Sequence, residues 1–386
     1  MKKVKAGIIG TGFVGPAHVE AVRRLGFVEM VALAEAGEAL ARAKGEALSI
    51  PKVYGDYRQL LADPEVELVH ICTPNTGHYP MVKQAIAAGK HLIVEKPLAM
   101  NTAQSRELVE LARRANVVAA VDFNYRCYPM NQQARAMVAA GEVGRIYAVH
   151  GSYLQDWLYL ETDYNWRIEP DLGGESRAVA DVGSHWCDLV QFIIGSRIKS
   201  VFAHLAIMHP TRMKPLKPIE TYAGKELEPE DYEPRPVSTE DYGTVLLTFE
   251  NGTQGVFTVC QVAAGRKNRL YYEIDGSKCA LAFDQEDPER LWIGRRDGPN
   301  QVLMRDPSIL HPSVRPYVHY PGGHPEGYPD GLKNFVRNVY TYYLQGKRPA
   351  AEAPDFATFE DGHAEIAMVE AVLASHQRQA WVEVKY

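Results

Sequence analysis

Residues 4–15 read VKAGIIGTGFVG and place an apolar run directly before the glycine pattern G-x-G-x-x-G. In such a loop the first glycine, Gly10, permits a tight turn, and the second, Gly12, lets the backbone approach a pyrophosphate. The third, Gly15, allows the next helix to pack closely on the strand, and the N-terminus of that helix attracts phosphate groups. This order of strand, loop and helix predicts a Rossmann-type dinucleotide-binding domain.

The rest of the first 125 residues continues the alternation of strands and helices. Short apolar runs predict buried strands at Val4–Ile9, Met30–Ala34, Leu68–Cys72, Leu92–Val94 and Val117–Val121. Apolar residues at helical spacing predict helices at Ala17–Leu25, Ala39–Ala47, Tyr79–Ala88 and Ala103–Ala115. Because strands that alternate with helices form parallel sheets, residues 1–125 are predicted to be a doubly wound α/β domain.

A different pattern after Tyr125 predicts a second α/β domain over residues 126–386. The predicted elements are a helix at Met130–Ala140, strands at Ile146–Leu154, Thr244–Glu250, Gly255–Val262, Leu270–Asp275 and Ala280–Asp284, a helix at Gly362–Ser375 and a last strand at Trp381–Val384. Turns such as Asn251-Gly252 and Asp275-Gly276 favour a mostly antiparallel sheet. The stretch Pro210–Pro236, rich in proline and charge, is expected to be a long surface excursion.

Composition and charge limit the classes of protein that the chain can represent. With 386 residues, 46% of them hydrophobic, it is long enough for two or three globular domains. The formal net charge of −6 disfavours a nucleic-acid partner, and no apolar run is long enough to cross a membrane. Five scattered cysteines without C-x-x-C spacing are typical of reduced thiols, so we expect a cytoplasmic protein.

A second signal for a dinucleotide is an acidic residue at the end of the next predicted strand. Glu35 follows Val31–Ala34 and lies about 20 residues beyond Gly15, where a carboxylate would bind the ribose hydroxyls. On its own Glu35 reads equally well as a solvated loop residue, and the glycine loop upstream favours the cofactor role. Its charge would repel a 2′-phosphate, and no arginine follows before Arg42, so NAD is preferred to NADP.

Three groups of residues resemble the glucose–fructose oxidoreductase/inositol dehydrogenase (Gfo/Idh/MocA) family. They are Thr73-Pro74-Asn75 with His78, then Glu95-Lys96-Pro97 after a predicted strand, and far downstream Gly173-Gly174 followed by Asp181-Val182-Gly183-Ser184-His185-Trp186-Cys187-Asp188. The resemblance implies a Rossmann domain that binds NAD and a second domain with a large open sheet. It also implies a homodimer or homotetramer built on that sheet. Residues 153–157, 165–167 and 322–324 resemble a sugar-acting branch of the levoglucosan-dehydrogenase type.

The same resemblance implies a catalytic trio of Lys96, Asp181 and His185, and these residue types suit alcohol oxidation. That reaction requires a nicotinamide at the carbinol carbon, a base for the hydroxyl proton and a group that stabilises developing negative charge. Lys96 follows a strand at the carboxyl edge of the sheet, where ligands bind. Because histidine titrates near neutrality, His185 is the natural base, and Asp188 is expected to give structural support. The alternatives are a solvated lysine, a core histidine and a helix-capping aspartate.

Further residues are expected near the cofactor or the substrate. The cofactor set is Gly10, Gly12, Phe13, Val14, Gly15, Glu35, Thr73, Pro74, Asn75, His78, Glu95, Lys96, Trp166 and Arg167. The substrate set is Lys96, Asp156, Trp157, Arg167, Asp181, His185 and His324. Carboxylate, guanidinium and indole groups suit a sugar, which has a polar rim and apolar faces. The alternatives are core packing for the tryptophans, a surface salt bridge for Arg167 and a plain connecting loop at His324 and Glu326.

The sequence therefore predicts NAD-dependent oxidation of a secondary hydroxyl group of a sugar, anhydrosugar or cyclitol. An NAD-dependent glycosidase, which oxidises the sugar transiently before elimination, would use the same residues in its first step and stays open. A non-catalytic sugar or dinucleotide sensor is disfavoured, because Lys96 and His185 are both present. No metal is expected, since no second cluster of cysteine and histidine complements His185 and Cys187.

Overall fold

The computed structural model describes residues 3–217, 227–349 and 351–386, which divide into two compact units. The first unit consists of residues 1–124 and 328–366, and the second of residues 125–327 and 367–386. The first boundary lies beside the one predicted at residue 125. Residues 328–366 return to the first unit, whereas the sequence assigned the whole of residues 126–386 to the second domain.

A six-stranded sheet forms the centre of the first unit. Its strands are β1 (Val4–Ile9), β2 (Val28–Ala34), β3 (Lys52–Tyr54), β4 (Leu68–Ile71), β5 (His91–Val94) and β6 (Ala119–Val121). They lie in the order β3-β2-β1-β4-β5-β6, and every neighbouring pair is parallel. The predicted doubly wound sheet is thus confirmed. The strand order reverses between β1 and β4, which is where sheets of this kind bind ligands.

Five helices connect these strands, and local sequence signals fix their ends. They are α1 (Gly15–Arg23), α2 (Glu38–Ala47), α3 (Tyr57–Ala62), α4 (Asn75–Ala87) and α5 (Thr102–Ala115). The side chain of Asn101 caps α5 by accepting a hydrogen bond from the backbone N–H of Gln104. Asn116 ends the same helix in the left-handed conformation, with φ 52°.

Helices on both faces of this sheet bury its central strands. Ile9, Val69, Ile71, Leu92 and Val94 are each at most 2% exposed and belong to one hydrophobic cluster. Strands that are buried on both faces read as continuous apolar runs rather than as alternating ones. This burial is the reason why β1, β4 and β5 stand out in the sequence.

A nine-stranded sheet organises the second unit, together with helices α6 (Pro129–Ala139), α7 (Pro170–Gly173) and α8 (Ser184–Ile194). Its strands are β7 (Ile146–Leu154), β8 (Ile198–Ala206), β11 (Tyr242–Phe249), β12 (Gln254–Cys260), β13 (Arg269–Gly276), β14 (Ala280–Asp284), β15 (Arg290–Gly294), β16 (Gln301–Met304) and β17 (Val382–Glu383). Strands β9 (Thr211–Pro215) and β10 (Tyr232–Pro236) form a separate two-stranded sheet. The order is β16-β15-β14-β13-β7-β12-β11-β8-β17, and only β7 and β12 are parallel neighbours. The predicted, mostly antiparallel sheet is confirmed.

Several details of the second unit differ from the predictions. The described ends of the expected surface excursion Pro210–Pro236 form the antiparallel pair β9 and β10, and residues 218–226 of it lie outside the described residues. Asn251-Gly252 does form the turn between β11 and β12, with φ 86° at the glycine. Asp275-Gly276, by contrast, still belongs to β13, and the turn follows it.

Two helices near the C-terminus complete the fold. Helix α9 (Tyr328–Leu344) packs against α1 within the first unit, and α10 (Phe359–Arg378) begins in the first unit and ends in the second. The sequence predicted part of α10 but missed α9. Among the described residues, no helix combines the length and the apolar character needed to span a membrane.

Candidate active site

The glycine loop leaves its backbone open on one side. Gly10 has a φ of 84°, and a Cβ atom there would lie 2.9 Å from the carbonyl oxygen of Cys72. A Cβ atom at Gly15 would lie 2.6 Å from the carbonyl oxygen of Gly10, so both glycines are required by the protein's own packing. At Gly12 a Cβ atom would meet no atom within 4 Å, and both Gly12 and Phe13 are exposed. This open backbone beside the start of α1 fits the pyrophosphate of a dinucleotide.

Glu35, the predicted ribose-binding carboxylate, is held against this loop by hydrogen bonds to Thr11. Its Oε1 accepts hydrogen bonds of 2.5 Å from both the backbone N–H and the hydroxyl group of Thr11. The residue follows β2, and its own N–H donates to the carbonyl group of Tyr54 at the end of β3. The carboxylate therefore sits at the edge of the open loop, where a ribose hydroxyl can reach it.

His78 occupies a different position from the one expected for a cofactor ligand. It is fully buried, and its ring nitrogens lie 2.7 Å from the carbonyl oxygen of Pro97 and 2.9 Å from that of Thr73. His78 thus joins the loops that follow β4 and β5. Pro74 is exposed and Thr73 half-buried, whereas Asn75 is buried as the first residue of α4. Any effect of His78 on a cofactor would pass through Thr73 and Pro97.

Glu95 and Lys96 follow β5 directly, at the carboxyl edge of the parallel sheet. Lys96 is half-buried, and Glu95 is buried. The carboxylate of Glu95 lies 3.0 Å from Nε2 of His18, which belongs to α1. The first unit therefore brings together the glycine loop, Glu35 and the Lys96 turn, as the Rossmann prediction requires.

Asp181 and His185 lie where a short π-helix runs into α8. The π-helix covers Val179–Gly183, so Asp181 lies within it and His185 in the first turn of α8. Gly183 lets the π-helix lie close to β12, because a Cβ atom at this position would lie 3.3 Å from the side chains of Phe257 and Val259. Single π-turns inside α-helices occur frequently at functional sites.

Both carboxylate oxygens of Asp181 accept hydrogen bonds from neighbouring side chains. Nε of Arg167 donates to Oδ1 over 3.2 Å, and the amide of Gln261 donates to Oδ2 over 3.0 Å. The guanidinium of Arg167 also lies 4.5 Å from the ring centroid of Trp166. Because both contacts come from N–H donors, the arrangement suits an ionised Asp181. Of the predicted residues, the structure thus groups Trp166 and Arg167 with Asp181.

A hydrogen-bonded ring of three side chains lies beside His185. The hydroxyl groups of Tyr125 and Tyr153 are 2.7 Å apart, Tyr153 donates to Oδ1 of Asn268, and the amide of Asn268 donates back to Tyr125. The ring of His185 meets that of Tyr125 edge to face, with 4.8 Å between the centroids. His185 is 8% exposed. His185 therefore packs against this ring of hydrogen-bonded side chains.

The remaining predicted residues have partners within the second unit. Oδ2 of Asp156 accepts hydrogen bonds from Lys267 and from the N–H of Gly265, and Trp157 is half-buried. The carboxylate of Asp188 accepts hydrogen bonds from Nε and Nη2 of Arg126, in keeping with structural support.

The loop that contains His324 is fixed by buried charges. Arg305 donates to the carbonyl oxygen of His324, while the side chain of His324 is exposed. Oε1 of Glu326 accepts hydrogen bonds from the N–H groups of His319 and Tyr320 and lies 3.0 Å from Arg305. These contacts favour the plain connecting loop for Glu326 and leave the role of His324 a prediction.

Sequence reasoning did not single out Gln261, Tyr125 or Asn268. Gln261 is 2% exposed and directly follows β12, so the available signal is its position at a strand end next to a predicted catalytic residue. Tyr125 lies at the boundary between the two units. Neutral amides and tyrosines are common in every part of a protein, so their sequence pattern does not set them apart.

Sequence models of one family match both units. Residues 4–123 match "Oxidoreductase family, NAD-binding Rossmann fold" and residues 131–282 match "GFO/IDH/MocA C-terminal domain". Levoglucosan dehydrogenase from Pseudarthrobacter phenanthrenivorans is 28% identical, over 100% of this chain and 99% of its own length.

Solved structures agree over the whole chain. The crystal structure of an oxidoreductase domain protein from Kribbella flavida is 31% identical, with a TM-score of 0.89 and complete coverage of both chains. A complex of levoglucosan dehydrogenase with NADH and levoglucosan is 26% identical, with a TM-score of 0.87 and complete coverage of both chains. With the strand order of the first unit and its open glycine loop, these matches show that the chain belongs to the GFO/IDH/MocA family of NAD-dependent oxidoreductases.

Proposed function

We propose that this enzyme oxidises a secondary hydroxyl group of a sugar, anhydrosugar or cyclitol. The observation that carries the proposal is Asp181, a carboxylate held by Arg167 and Gln261 one turn before His185. A carboxylate and a histidine one helix turn apart, with a guanidinium hydrogen-bonded to the carboxylate, suit a ligand with several hydroxyl groups. The similarity to a levoglucosan dehydrogenase with NADH and levoglucosan bound supports the same substrate class.

The roles of the side chains follow from their chemistry. His185 accepts the proton of the reacting hydroxyl group, and Asp181 orients the substrate by accepting a hydrogen bond from a neighbouring hydroxyl group. Lys96 stabilises the negative charge that develops on the substrate oxygen. The glycine loop binds the pyrophosphate of the cofactor, and Glu35 binds the adenosine ribose. Bound NAD+ supplies the acceptor for the hydride that leaves the carbinol carbon.

We also propose that the enzyme is a homodimer or homotetramer associated through its nine-stranded sheet. Tyr147 on β7, Leu246 on β11 and Val302 on β16 are between 44% and 54% exposed. Large apolar side chains spread over one sheet indicate a surface that another subunit covers. Light scattering after size-exclusion chromatography measures the assembly directly, and a monomer at micromolar concentration would refute this part of the proposal.

The experiment is a substrate screen with purified protein and NAD+. Monosaccharides, inositols, anhydrosugars and glycosides are supplied in turn, and NADH absorbance and product release are followed together. We expect NADH to accumulate with a polyol or anhydrosugar in proportion to the oxidised product. Glycoside cleavage without net NADH would instead favour the NAD-dependent glycosidase. No turnover of any of these compounds would refute the proposed function.

Substitution of His185 tests the assigned base. His185→Ala should lower kcat by about 10²–10⁴-fold and leave the dissociation constant of NAD+ close to the wild-type value. The matched control is His204→Ala, because His204 is an exposed histidine on β8 in the same unit. Wild-type turnover in His185→Ala would show that another group takes the proton.

A further inference from the structure

A group of buried ionisable side chains lies within the first unit, beneath the glycine loop. His18 comes from α1, His70 from β4, Glu95 follows β5 and Asp122 follows β6. Their residue exposures are 0%, 0%, 8% and 2%, respectively. We call these four residues the His18 cluster. Charged groups are rarely buried unless they are paired, so the cluster needs a physical explanation.

The cluster forms one continuous chain of hydrogen bonds. Nδ1 of His18 lies 2.9 Å from Nδ1 of His70, and Nε2 of His70 lies 2.9 Å from the hydroxyl group of Tyr340 on α9. On its other side, Nε2 of His18 lies 3.0 Å from Glu95 and 3.3 Å from Asp122. His18 thus links the helix that begins at the glycine loop to the residue that precedes Lys96.

These contacts limit where the protons can lie. Nε2 of His18 faces two carboxyl groups and therefore donates a proton towards them. One of the two facing Nδ1 atoms must also donate. If His18 donates at both nitrogens, as an imidazolium, then His70 accepts at Nδ1 and donates from Nε2 to Tyr340. This assignment satisfies every contact in the chain with His70 neutral.

The directions of the histidine pKa shifts agree with this assignment. Burial by itself lowers the pKa of His18, but contacts with Cys72, Asp122 and Glu95 reverse that effect and raise the pKa well above its ordinary value. Burial, followed by the charge of His18, lowers the pKa of His70 well below its ordinary value. These directions favour His18 over His70 as the charged ring.

The two carboxyl groups respond to the imidazolium unequally. Burial opposes ionisation of Glu95, but the hydrogen bond and charge of His18 and the charge of Lys96 lower its pKa to about 2. Burial, followed by the charge of Glu95, raises the pKa of Asp122 to about 7. Below neutral pH the cluster thus holds His18 charged, Glu95 ionised and Asp122 protonated, with no net charge. Loss of the Asp122 proton leaves one uncompensated negative charge in the interior.

The titratable groups around the carboxyl groups of Glu95 and Asp122 are His18 from α1, Cys72 after β4 and Lys96 after β5. His70 from β4 is linked to them through His18, and Tyr340 from α9 through His70. Glu95 and Lys96 are neighbours in the chain, so whatever holds the Glu95 side chain also limits where the Lys96 backbone can lie.

We infer that His18 is a positioning residue for Lys96, and that the proton shared by His18, Glu95 and Asp122 sets the pH range of turnover. The inference rests on the proposed catalytic role of Lys96. His18 and Glu95 tie α1 to the Lys96 turn while the cluster is neutral. Release of the shared proton adds a negative charge beside Lys96, which changes the electrostatic environment of its ammonium group.

Proton sharing is tested without cofactor or substrate, by urea unfolding of wild type and Asp122→Asn between pH 5 and 8. Folded wild type keeps a proton on Asp122 that the unfolded chain has already released. The unfolding equilibrium constant of wild type, divided by that of Asp122→Asn, should therefore increase by up to about tenfold per pH unit as the pH is raised towards 7. Above pH 7 this ratio should level off. Parallel pH curves for the two proteins would overturn the inference. If Asp122→Asn does not fold, Glu95→Gln replaces it. Loss of the Glu95 charge lowers the pKa of Asp122, so the unfolding constant of Glu95→Gln should stop rising with pH at a lower pH than that of wild type.

Positioning is tested by kinetics with His18→Gln and Asp122→Asn. His18→Gln should bind NAD+ within about threefold of wild type and lose at least about tenfold in kcat, the scale of loss expected when a catalytic group is misplaced. The pH profile of kcat in wild type should contain an ionisation of Asp122 near pH 7 in addition to that of the base His185, and only the Asp122 ionisation should be absent from Asp122→Asn. The control is His91→Gln, because His91 is a histidine at the start of β5 outside the cluster. Wild-type kcat in His18→Gln, or the same pH profile in Asp122→Asn, would overturn the positioning role.

The two failures are distinguishable. A wild-type protein that oxidises no polyol refutes the proposed function, and the urea experiment still reports on the shared proton. A wild-type protein that turns over normally, together with a fully active His18→Gln, refutes the positioning role alone.

Discussion

The side-chain amide of Gln261 donates a hydrogen bond of 3.0 Å to Oδ2 of Asp181. Gln261 is itself fixed by its backbone, since its N–H donates to the carbonyl oxygen of Asp241 and its carbonyl oxygen accepts from the N–H of Leu158. The position of the Asp181 carboxylate therefore depends on a residue at the end of β12 that carries no charge.

Removal of this amide should weaken substrate orientation. In Gln261→Leu, Asp181 loses the hydrogen bond from this amide, and a hydrogen bond to a charged group contributes about 1.5–3 kcal/mol. We expect kcat/KM for the polyol to fall by about 10–100-fold, while the dissociation constant of NAD+ stays unchanged. Gln254→Leu is the matched control, because Gln254 is an exposed glutamine at the opposite end of β12. Equal losses in both variants would show that the amide has no specific role.

Removal of the Glu35 carboxylate should weaken the cofactor instead. Glu35→Ala loses the acceptor for Thr11 and the proposed acceptor for the ribose hydroxyls. The dissociation constant of NADH, measured by calorimetric titration, should rise by about 10–100-fold, and the preference for NADH over NADPH should shrink. Glu38→Ala is the control, since Glu38 is exposed at the start of α2. An unchanged NADH affinity would remove Glu35 from the cofactor site.

Much of the fold could be predicted because burial leaves a clear trace in the sequence. The predicted bounds of β1 and β7 agree with the structure at both ends. The short strand β3 was missed, since three residues carry too little periodicity. Helix α9 was missed for another reason: Asp330, Asn334 and Asn338 are buried within it and interrupt the apolar spacing.

The candidate site was less predictable than the fold. Charged groups such as Glu35 and Asp181 could be found from motifs, because the chemistry demands those residue types at fixed places. Gln261 could not, because an amide at a strand end has no distinctive pattern. His18 lies three residues beyond Gly15, and a lone histidine on a helix reads as an ordinary core residue. Its link to Glu95 exists only because the fold brings His18 on α1 beside the residue that follows β5.

The stability of the second unit should depend on the buried carboxylate of Asp241. Its Oδ1 accepts hydrogen bonds of 2.6 Å from Arg177 and Arg212, and all three side chains are fully buried. Asp241→Asn leaves two buried guanidinium groups without a counter-charge, and loss of one partner from a buried pair costs about 3–5 kcal/mol. Urea unfolding should show this loss, with the exposed Asp297→Asn as control. A loss below about 1 kcal/mol, the size typical of surface pairs, would contradict this account.

His91 should make the protein sensitive to acid. Its Nδ1 accepts a hydrogen bond from the N–H of Val118, and burial, followed by the charge of Arg348, lowers its pKa to about 4. The unfolded chain therefore binds more protons than the folded one between about pH 4 and 6.5, so stability falls as the pH is lowered through this range. Over the full range the loss reaches about 3 kcal/mol. In urea unfolding, His91→Gln should lack this loss, and its free energy of unfolding should approach or exceed that of wild type as the pH falls. If the free energies of unfolding of wild type and His91→Gln instead change in parallel from pH 6.5 to 4, His91 has the same pKa in the folded and unfolded protein.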